Sequence, residues 1–191
     1  PSGETSSRVV VVGSLKGGVG VTTLAANLGA LMARRSKDPV CLVDLCSSSG
    51  HLALHFGCRP EPDWTALLQQ DTIDFDAVEP LLLQPVPGLH VLASPMVPLI
   101  EKEFARPAAS ALLEALWQQF KLVIVDAPST MNCATTAAME AASDVWLVVT
   151  PDPASIQTTL GTVRALRDSV GQLTLILNHV SPARQISPGS I

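Results

Sequence analysis

Short apolar runs, each about the length of a β-strand, recur along the chain and are separated by polar turns. Because most of these runs carry apolar side chains at consecutive rather than alternate positions, they are typical of strands buried on both faces of a sheet. The pattern predicts strands at 8–13, 40–45, 89–93, 122–126, 145–149 and 173–177.

Between the strands, apolar residues recur at intervals of three and four, which is the spacing of one helix face. The predicted helices cover 22–35, 107–120 and 154–170, and two shorter ones cover 51–56 and 64–70. Strands that alternate with helices predict an α/β fold, in which a doubly wound, mostly parallel sheet carries helices on both faces. A ligand of such a sheet binds beyond the carboxyl ends of the strands.

Composition and charge narrow the range of partners. The 191 residues are 47% hydrophobic and 15% charged, with a net charge of −5, which suits a folded domain and not a disordered chain. Because non-specific binding to nucleic acid needs a surplus of Lys and Arg, DNA is not an expected partner. No apolar run has the length of a membrane span, so any membrane contact is expected to be indirect. The four cysteines form no CxxC pair and are expected to be reduced thiols of a cytoplasmic protein.

The segment between the first predicted strand and the first predicted helix is rich in glycine and hydroxyl residues, and it reads SLKGGVGVTT from residue 14 to residue 23. Glycines allow successive backbone N–H groups to point at one anion, and the N-terminus of the following helix adds its positive dipole end. Thr22 stands where a hydroxyl binds Mg²⁺ in a phosphate-binding loop. The sequence therefore predicts a phosphate site, the alternative being a glycine-rich turn that binds nothing.

This loop resembles that of the deviant Walker A family of MinD and ParA ATPases, whose motif is KGGxGKTT. The resemblance implies a P-loop NTPase-like fold that binds ATP with Mg²⁺ and forms a nucleotide-dependent homodimer, with Lys16 reaching the partner's phosphates as a catalytic residue. Val21 departs from the motif, because it stands where the family has its P-loop lysine. The resemblance places the nucleotide on the loop residues Lys16, Gly17, Gly18, Val19, Gly20, Val21, Thr22 and Thr23.

Two aspartates at predicted strand ends agree with this resemblance. Asp44 matches the first aspartate of the family's VDLD segment, whereas Cys46 replaces the second, which in MinD-like members helps to position the attacking water. Asp126 ends an apolar strand before Ala-Pro, as in the family's Walker B strand, although an aspartate there could also cap a turn. The implied Mg²⁺ ligands are Thr22, Asp44 and Asp126, partly through water, and Asp44 is also a secondary catalytic candidate.

The end of the chain carries a candidate for recognition of the base. Asn178, after the last predicted strand, resembles the family asparagine that contacts adenine, and an asparagine there is equally an ordinary turn residue. The segment 150–155 resembles the loop that closes over the base.

Within the family, the segments 44–57, 89–95 and 126–128 resemble the CpaE/TadZ branch, which is associated with assembly and polar placement of Tad/Flp-type pili. This resemblance predicts a nucleotide-binding domain at 8–180. The polar segment 1–7 is then expected to be a linker between that domain and a receiver-like domain before it. A loop-like tail is expected at 181–191, with the C-terminal part of the family domain absent. The expected partners are a second copy of the chain and pilus or secretion proteins, at a cell pole or an inner-membrane face.

Three functions stay open at this point. The first is an ATP-dependent dimerising switch with weak or absent hydrolysis, because Val21 and Cys46 remove two charged groups from the motif. The second is an active ParA- or MinD-like ATPase in DNA partition, division-site placement or flagellar placement. The third is a scaffold that binds no nucleotide.

Some residues have an ordinary structural explanation beside a functional one. His51, His55 and Cys58 have the chemistry of zinc ligands at near-helical spacing, but no fourth ligand lies near them in the sequence. Trp64 is expected to pack in the core, the alternative being a partner surface.

Overall fold

The computed structural model describes residues 7–48, 50–99 and 104–179. The predicted linker at 1–7, except Ser7, and the predicted tail at 181–191 lie outside the described residues. Within them the chain forms one seven-stranded sheet in the order β3-β4-β2-β5-β1-β6-β7. The strands are β1 Arg8–Gly13, β2 Val40–Asp44, β3 Leu82–Val86, β4 Leu89–Leu92, β5 Leu122–Asp126, β6 Asp144–Val149 and β7 Leu173–Leu177.

The helices connect these strands and cover both faces of the sheet. The α-helices are α1 Val21–Arg35, α2 Phe75–Val78, α3 Arg106–Gln119, α4 Cys133–Ala141 and α5 Pro153–Leu166, with 3₁₀ helices at Ala53–Phe56, Trp64–Gln69 and Glu79–Leu81. The predicted doubly wound α/β fold is therefore confirmed. No helix among the described residues has both the length and the apolar character needed to cross a membrane.

The central strands are buried because alternate residues of each strand face two separate apolar layers. Val9 and Val11 of β1 pack in a cluster with α3 and α4, whereas Val10 and Val12 pack in a second cluster with α1. This two-sided burial explains why the strands are continuous apolar runs. It also fixes the register, in which Asp44 at the end of β2 lies directly beside Asp126 at the end of β5.

Four elements were not predicted: strand β3, helix α4, the one-turn helix α2 and the 3₁₀ helix at Glu79–Leu81. Strand β3 runs antiparallel to β4 at the edge of the sheet. The sequence pattern does not predict this strand because it contains Pro85, and proline interrupts a strand pattern and is tolerated only at edges. Helix α4 is built from alanines and threonines and lacks a stripe of large apolar residues; its N-cap is Asn132, which accepts a hydrogen bond from the backbone of Thr135.

Some observed elements differ slightly from the predicted ones in their bounds or helix type. Helix α5 ends at Leu166, four residues before the predicted end, and the segments predicted as short helices at 51–56 and 64–70 are 3₁₀ helices. Trp64 is buried and its indole N–H donates to the carbonyl oxygen of Asp44 at 2.8 Å. The expectation that Trp64 packs in the core is confirmed, and the partner-surface alternative is wrong.

Candidate functional site

A cavity of about 360 Å³ opens at the carboxyl ends of the central parallel strands. Its wall is formed by three segments that each follow a strand: the loop after β1, the loop after β2 and the segment after β5. This is where a doubly wound sheet binds its ligand. A volume of this size lies within the range of small-ligand pockets.

The loop after β1 forms one wall of the cavity, and two of its glycines have left-handed backbones. Gly18 has φ +76° and Gly20, which is the N-cap of α1, has φ +98°. No side chain caps the helix, and its first turn holds no acidic residue. Because the first backbone N–H groups of a helix lack intrahelical partners, this end of α1 presents donors and a positive dipole end to an anion.

Most of the predicted loop residues line the cavity together. Lys16, Gly18, Gly20, Val21, Thr22 and Thr23 are in the wall, whereas Gly17 and Val19 are not among the lining residues. The Val19 side chain is buried in the apolar layer beneath α1. Val21 begins α1 and also packs partly against that layer, so it adds a backbone N–H group to the site but no charge.

Lys16 makes an ion pair within the chain. Its Nζ lies 2.8 Å from Oδ2 of Asp152, and both side chains are partly exposed. Asp152 also accepts a hydrogen bond from the backbone of Ser155 and so caps α5. The Lys16 ammonium and, to a smaller extent, the Thr150 hydroxyl and the Ser155 backbone hold the pKa of Asp152 well below its usual range.

Asp126 is a buried carboxylate at the base of the cavity. Its side chain is almost inaccessible, and among the described residues Oδ1 has no hydrogen-bond partner. Burial raises the pKa of Asp126 to about 8; the neighbouring Asp44 carboxylate adds to the rise and the Thr22 hydroxyl opposes it. An oxygen ligand without a partner, next to a hydroxyl, is suited to a hard cation such as Mg²⁺.

Asp44 lines the same cavity, but its oxygens are already engaged. Oδ1 accepts the backbone N–H of Cys46 at 3.0 Å, and Oδ2 accepts that of Leu52 at 3.2 Å. Burial raises the pKa of Asp44, and these two hydrogen bonds oppose the rise. The carboxylate therefore holds both ends of the loop that follows β2, and its predicted roles in metal binding and catalysis stay predictions.

The loop after β2 forms another part of the cavity wall. Cys46, Ser48, Gly50 and His51 line the cavity there, and the Cys46 sulfur lies 3.6 Å from the Ser48 hydroxyl. At the position of Cys46 the wall thus has a thiol and no carboxylate. No group of three His, Cys, Asp or Glu side chains in the described part of the chain is arranged to hold a metal ion.

Asn178 lies against the loop after β1 and is not in the cavity wall. Its side-chain amide donates to the carbonyl oxygen of Val19 at 2.8 Å. A Cβ atom on Gly20 would lie 2.5 Å from the same amide nitrogen, so glycine is required there by close approach as well as by φ. Asn178 therefore fastens the loop to the end of β7, and its contact with adenine stays a prediction.

Residues 7–175 match a family model described as an AAA domain. The chain is 30% identical over 180 residues to the septum site-determining protein MinD of Synechocystis sp., an alignment that covers 92% of this chain and 66% of that protein. It is 34% identical over 163 residues to the chromosome-partitioning ATPase Soj of Thermus thermophilus, with 84% of this chain and 62% of that protein covered.

This chain belongs to the MinD/ParA family of P-loop ATPases. Among solved structures, the ParA family ATPase of Chlorobium tepidum superposes with a TM-score of 0.86 at 21% identity, covering 98% of this chain and 79% of that one. MinD of Pyrococcus horikoshii, solved as a complex with Mg-ADP, gives a TM-score of 0.76 at 19% identity, covering 96% and 75%. The present chain spans about two thirds or less of the length of these curated relatives.

In this MinD/ParA-family chain, residues that the sequence pattern did not single out also lie in the cavity wall or contact it. Asp152 lies in the segment that resembles the base-covering loop, and the signal that could have found it is its position before Pro153, as an N-cap at a helix start. The sequence pattern gives His51 only the chemistry of a zinc ligand, whereas in the structure it lines the cavity. Its near neighbour His55 is exposed and is not in the wall.

Proposed function

We propose that this chain binds ATP with Mg²⁺ in the cavity at the carboxyl ends of β1, β2 and β5, and that it acts as an ATP-dependent dimerising switch with slow or absent hydrolysis. One observation carries the proposal. The loop after β1 and the buried Asp126 supply the parts needed to hold a magnesium-bound phosphate chain, whereas Val21 and Cys46 leave the cavity without two charged groups that promote its cleavage.

Binding is supported by the geometry of the loop and by the state of Asp126. The left-handed glycines and the uncapped start of α1 offer backbone donors to phosphate oxygens. Asp126 and Thr22 would hold the Mg²⁺ ion, which neutralises charge on the phosphates when it is bound. A bound cation would also supply the partner that Asp126 Oδ1 lacks among the described residues.

Slow hydrolysis follows from what the cavity wall lacks. Phosphoryl transfer depends on positioned cations and on a group that orients the attacking water. Val21 contributes no cation, and the Cys46 side chain is a poor substitute for a carboxylate that holds water. Each lost charge-assisted contact is worth about 2–4 kcal/mol in the transition state, although two losses at one transition state need not add.

The cellular role is proposed from the likeness to the CpaE/TadZ branch. The switch would act in polar localisation or assembly of Tad/Flp-type pili or a related secretion apparatus, with proteins of that machinery as partners and with a receiver domain in the longer protein. The net charge of −5 disfavours DNA as a partner. In this proposal the protein is cytoplasmic, is recruited to a cell pole or the inner-membrane face, and meets the membrane only indirectly.

A second candidate is an active ATPase in DNA partition or in placement of the division site. The similarity to MinD and Soj favours it, because those relatives are named for septum placement and chromosome partitioning. Phosphate release that rises on addition of DNA or lipid vesicles would favour this candidate. A scaffold without nucleotide is the remaining alternative, and calorimetric titration with Mg-ATP separates it from both.

The test of slow hydrolysis is phosphate release by the wild type beside Val21→Lys, Cys46→Asp and the double variant. We expect near-background turnover in the wild type and a gain of at least about tenfold only in the variants that carry Cys46→Asp, because that carboxylate restores a water-positioning group. Cys133→Asp is the matched control, since Cys133 is exposed and outside the cavity wall. Wild-type turnover equal to that of Cys46→Asp would contradict the proposal.

A further inference from the structure

The basic side chains in the cavity wall are few. Lys16 and His51 are the Lys, Arg or His residues among the described residues that line it, and they share the wall with the carboxylates of Asp44 and Asp126. Lys16 is held by Asp152. Within the described residues His51 has no ion-pair partner, so its imidazole is available to a ligand.

The fold fixes the position of His51. Asp44 binds the backbone of Cys46 and of Leu52, and these two hydrogen bonds hold both ends of the loop that contains His51. Gly50, immediately before His51, is packed so closely that a Cβ atom would lie 1.7 Å from Ser94 Oγ. Residue 51 is therefore placed in the cavity wall by a constrained backbone.

Strand order indicates which part of a nucleotide would face this loop. In P-loop NTPases a loop hydroxyl and an aspartate after a strand hold the metal that neutralises charge on the phosphates; here Thr22 and Asp126 would take these roles. Asp126 ends β5, which lies between β1 and β2, whereas Asn178 follows β7 on the other side of β1. If the metal is held at Asp126 and the adenine at Asn178, as predicted, the terminal phosphate would lie toward β2 and the nucleoside toward β7.

We propose that His51 donates a hydrogen bond from its imidazole to the terminal phosphate of a nucleoside triphosphate and so makes this chain prefer the triphosphate over the diphosphate. The inference rests on the proposed binding of Mg-ATP. It assigns to the loop after β2 a phosphate donor that partly compensates for the lysine missing at Val21. An imidazole N–H can donate whether the ring is neutral or protonated, and a donor aimed at a charged phosphate strengthens binding more than a neutral pair does.

The experiment is calorimetric titration of the purified chain, in Mg²⁺ buffer, with ADP and with an ATP analogue whose β–γ bridge is an imide. The variants are His51→Ala, His51→Lys and, as a matched control, His55→Ala. We expect His51→Ala to weaken binding of the ATP analogue by at least about tenfold and to change ADP affinity by less than about twofold. His51→Lys should retain the preference for the triphosphate, and His55→Ala should behave as the wild type.

The outcomes separate this inference from the function on which it rests. If the wild type binds neither nucleotide, the proposed function itself is wrong. If the wild type binds both nucleotides with equal affinity, or if His51→Ala weakens the two equally, nucleotide binding stands and the role of His51 is overturned. Melting temperatures measured without nucleotide show whether each variant is folded, and a loss caused only by unfolding would not be restored in His51→Lys.

Discussion

At the scale of single residues, the buried carboxylates of this chain differ in what they contact. Asp144 lies at the start of β6 and pairs with Arg8, and Asp44 accepts two backbone hydrogen bonds. Asp126 has an oxygen with no partner among the described residues. A buried polar atom without a partner is costly to the folded state, so Asp126 is expected to serve a ligand at the expense of stability.

Because of this cost, we expect the contribution of Asp126 to the free energy of unfolding to depend on pH. The folded-state pKa of Asp126 is raised to about 8 from an ordinary value of 3.8, so between these values the folded protein binds more protons than the unfolded one. The stability linked to Asp126 is therefore present below about pH 4 and is lost as the pH rises through about 8. In EDTA at about pH 8, Asp126→Asn should raise the free energy of unfolding by about 1–3 kcal/mol.

Urea denaturation of the wild type and of Asp126→Asn, from about pH 5 to about pH 9, measures this difference. The variant should gain most at the alkaline end and should lose the stabilisation that Mg²⁺ with ATP gives to the wild type. Asp144→Asn is the control, and it should lower stability because it removes the partner of Arg8. An Asp126→Asn protein that is less stable than the wild type at alkaline pH would mean that the carboxylate is satisfied in the folded state.

At the scale of elements, the sequence predicted the central strands and the loop after β1 well, because both depend on local patterns. Continuous apolar runs mark strands such as β1 and β5, and the glycine spacing marks the loop. Strand β3 was not predicted because it contains a proline, and α4 was not predicted because its residues are small and form no stripe of large apolar side chains. The ion pair of Lys16 with Asp152 joins residues 136 positions apart, and no local pattern encodes such a contact.

The loop after β2 shows how one element depends on its packing, and paired glycine substitutions test this dependence. A Cβ atom on Gly50 would meet Ser94 Oγ at 1.7 Å and Asp44 Oδ2 at 2.2 Å, whereas Gly161 in α5 has open space around it. Gly161→Ala should raise the free energy of unfolding by about 0.5–1 kcal/mol, because alanine favours the helix. Gly50→Ala should lower it by about 1–3 kcal/mol, because the side chain forces the loop off Asp44.

Thermal and urea denaturation of the two variants give the sign of each change. Nucleotide titration adds a second readout, since Gly161 lies outside the cavity wall and Gly50 is part of it. We expect Gly161→Ala to bind Mg-ATP as the wild type does and Gly50→Ala to bind it more weakly. If Gly50→Ala kept both its stability and its nucleotide affinity, the hydrogen bonds of Asp44 would not be what holds this loop.

At the scale of the whole molecule, the proposed switch needs Lys16 to change partners. Within one chain its ammonium is bound to Asp152, next to the cavity and at the start of α5. The resemblance to the deviant Walker A family implies that the same lysine contacts the phosphates of a second copy. A group cannot fully serve both partners at once, so association driven by ATP would compete with the internal ion pair, and a dimer would gain only the difference between the two contacts.

Two variants test this competition from opposite directions. Lys16→Ala removes the contact to the second copy and should weaken ATP-dependent dimers by about 10- to 150-fold, the range for a hydrogen bond to a charged group. Asp152→Asn removes the internal ion pair but keeps a good N-cap for α5, so it should shift dimer formation to lower protein concentration in Mg-ATP. Sedimentation velocity across a concentration series, with ADP as the control nucleotide, measures both effects.

Dimers of equal stability in wild type and Lys16→Ala would show that Lys16 does not contact the second copy. A weaker dimer in Asp152→Asn would show that Asp152 supports association, and the proposed competition would then be wrong.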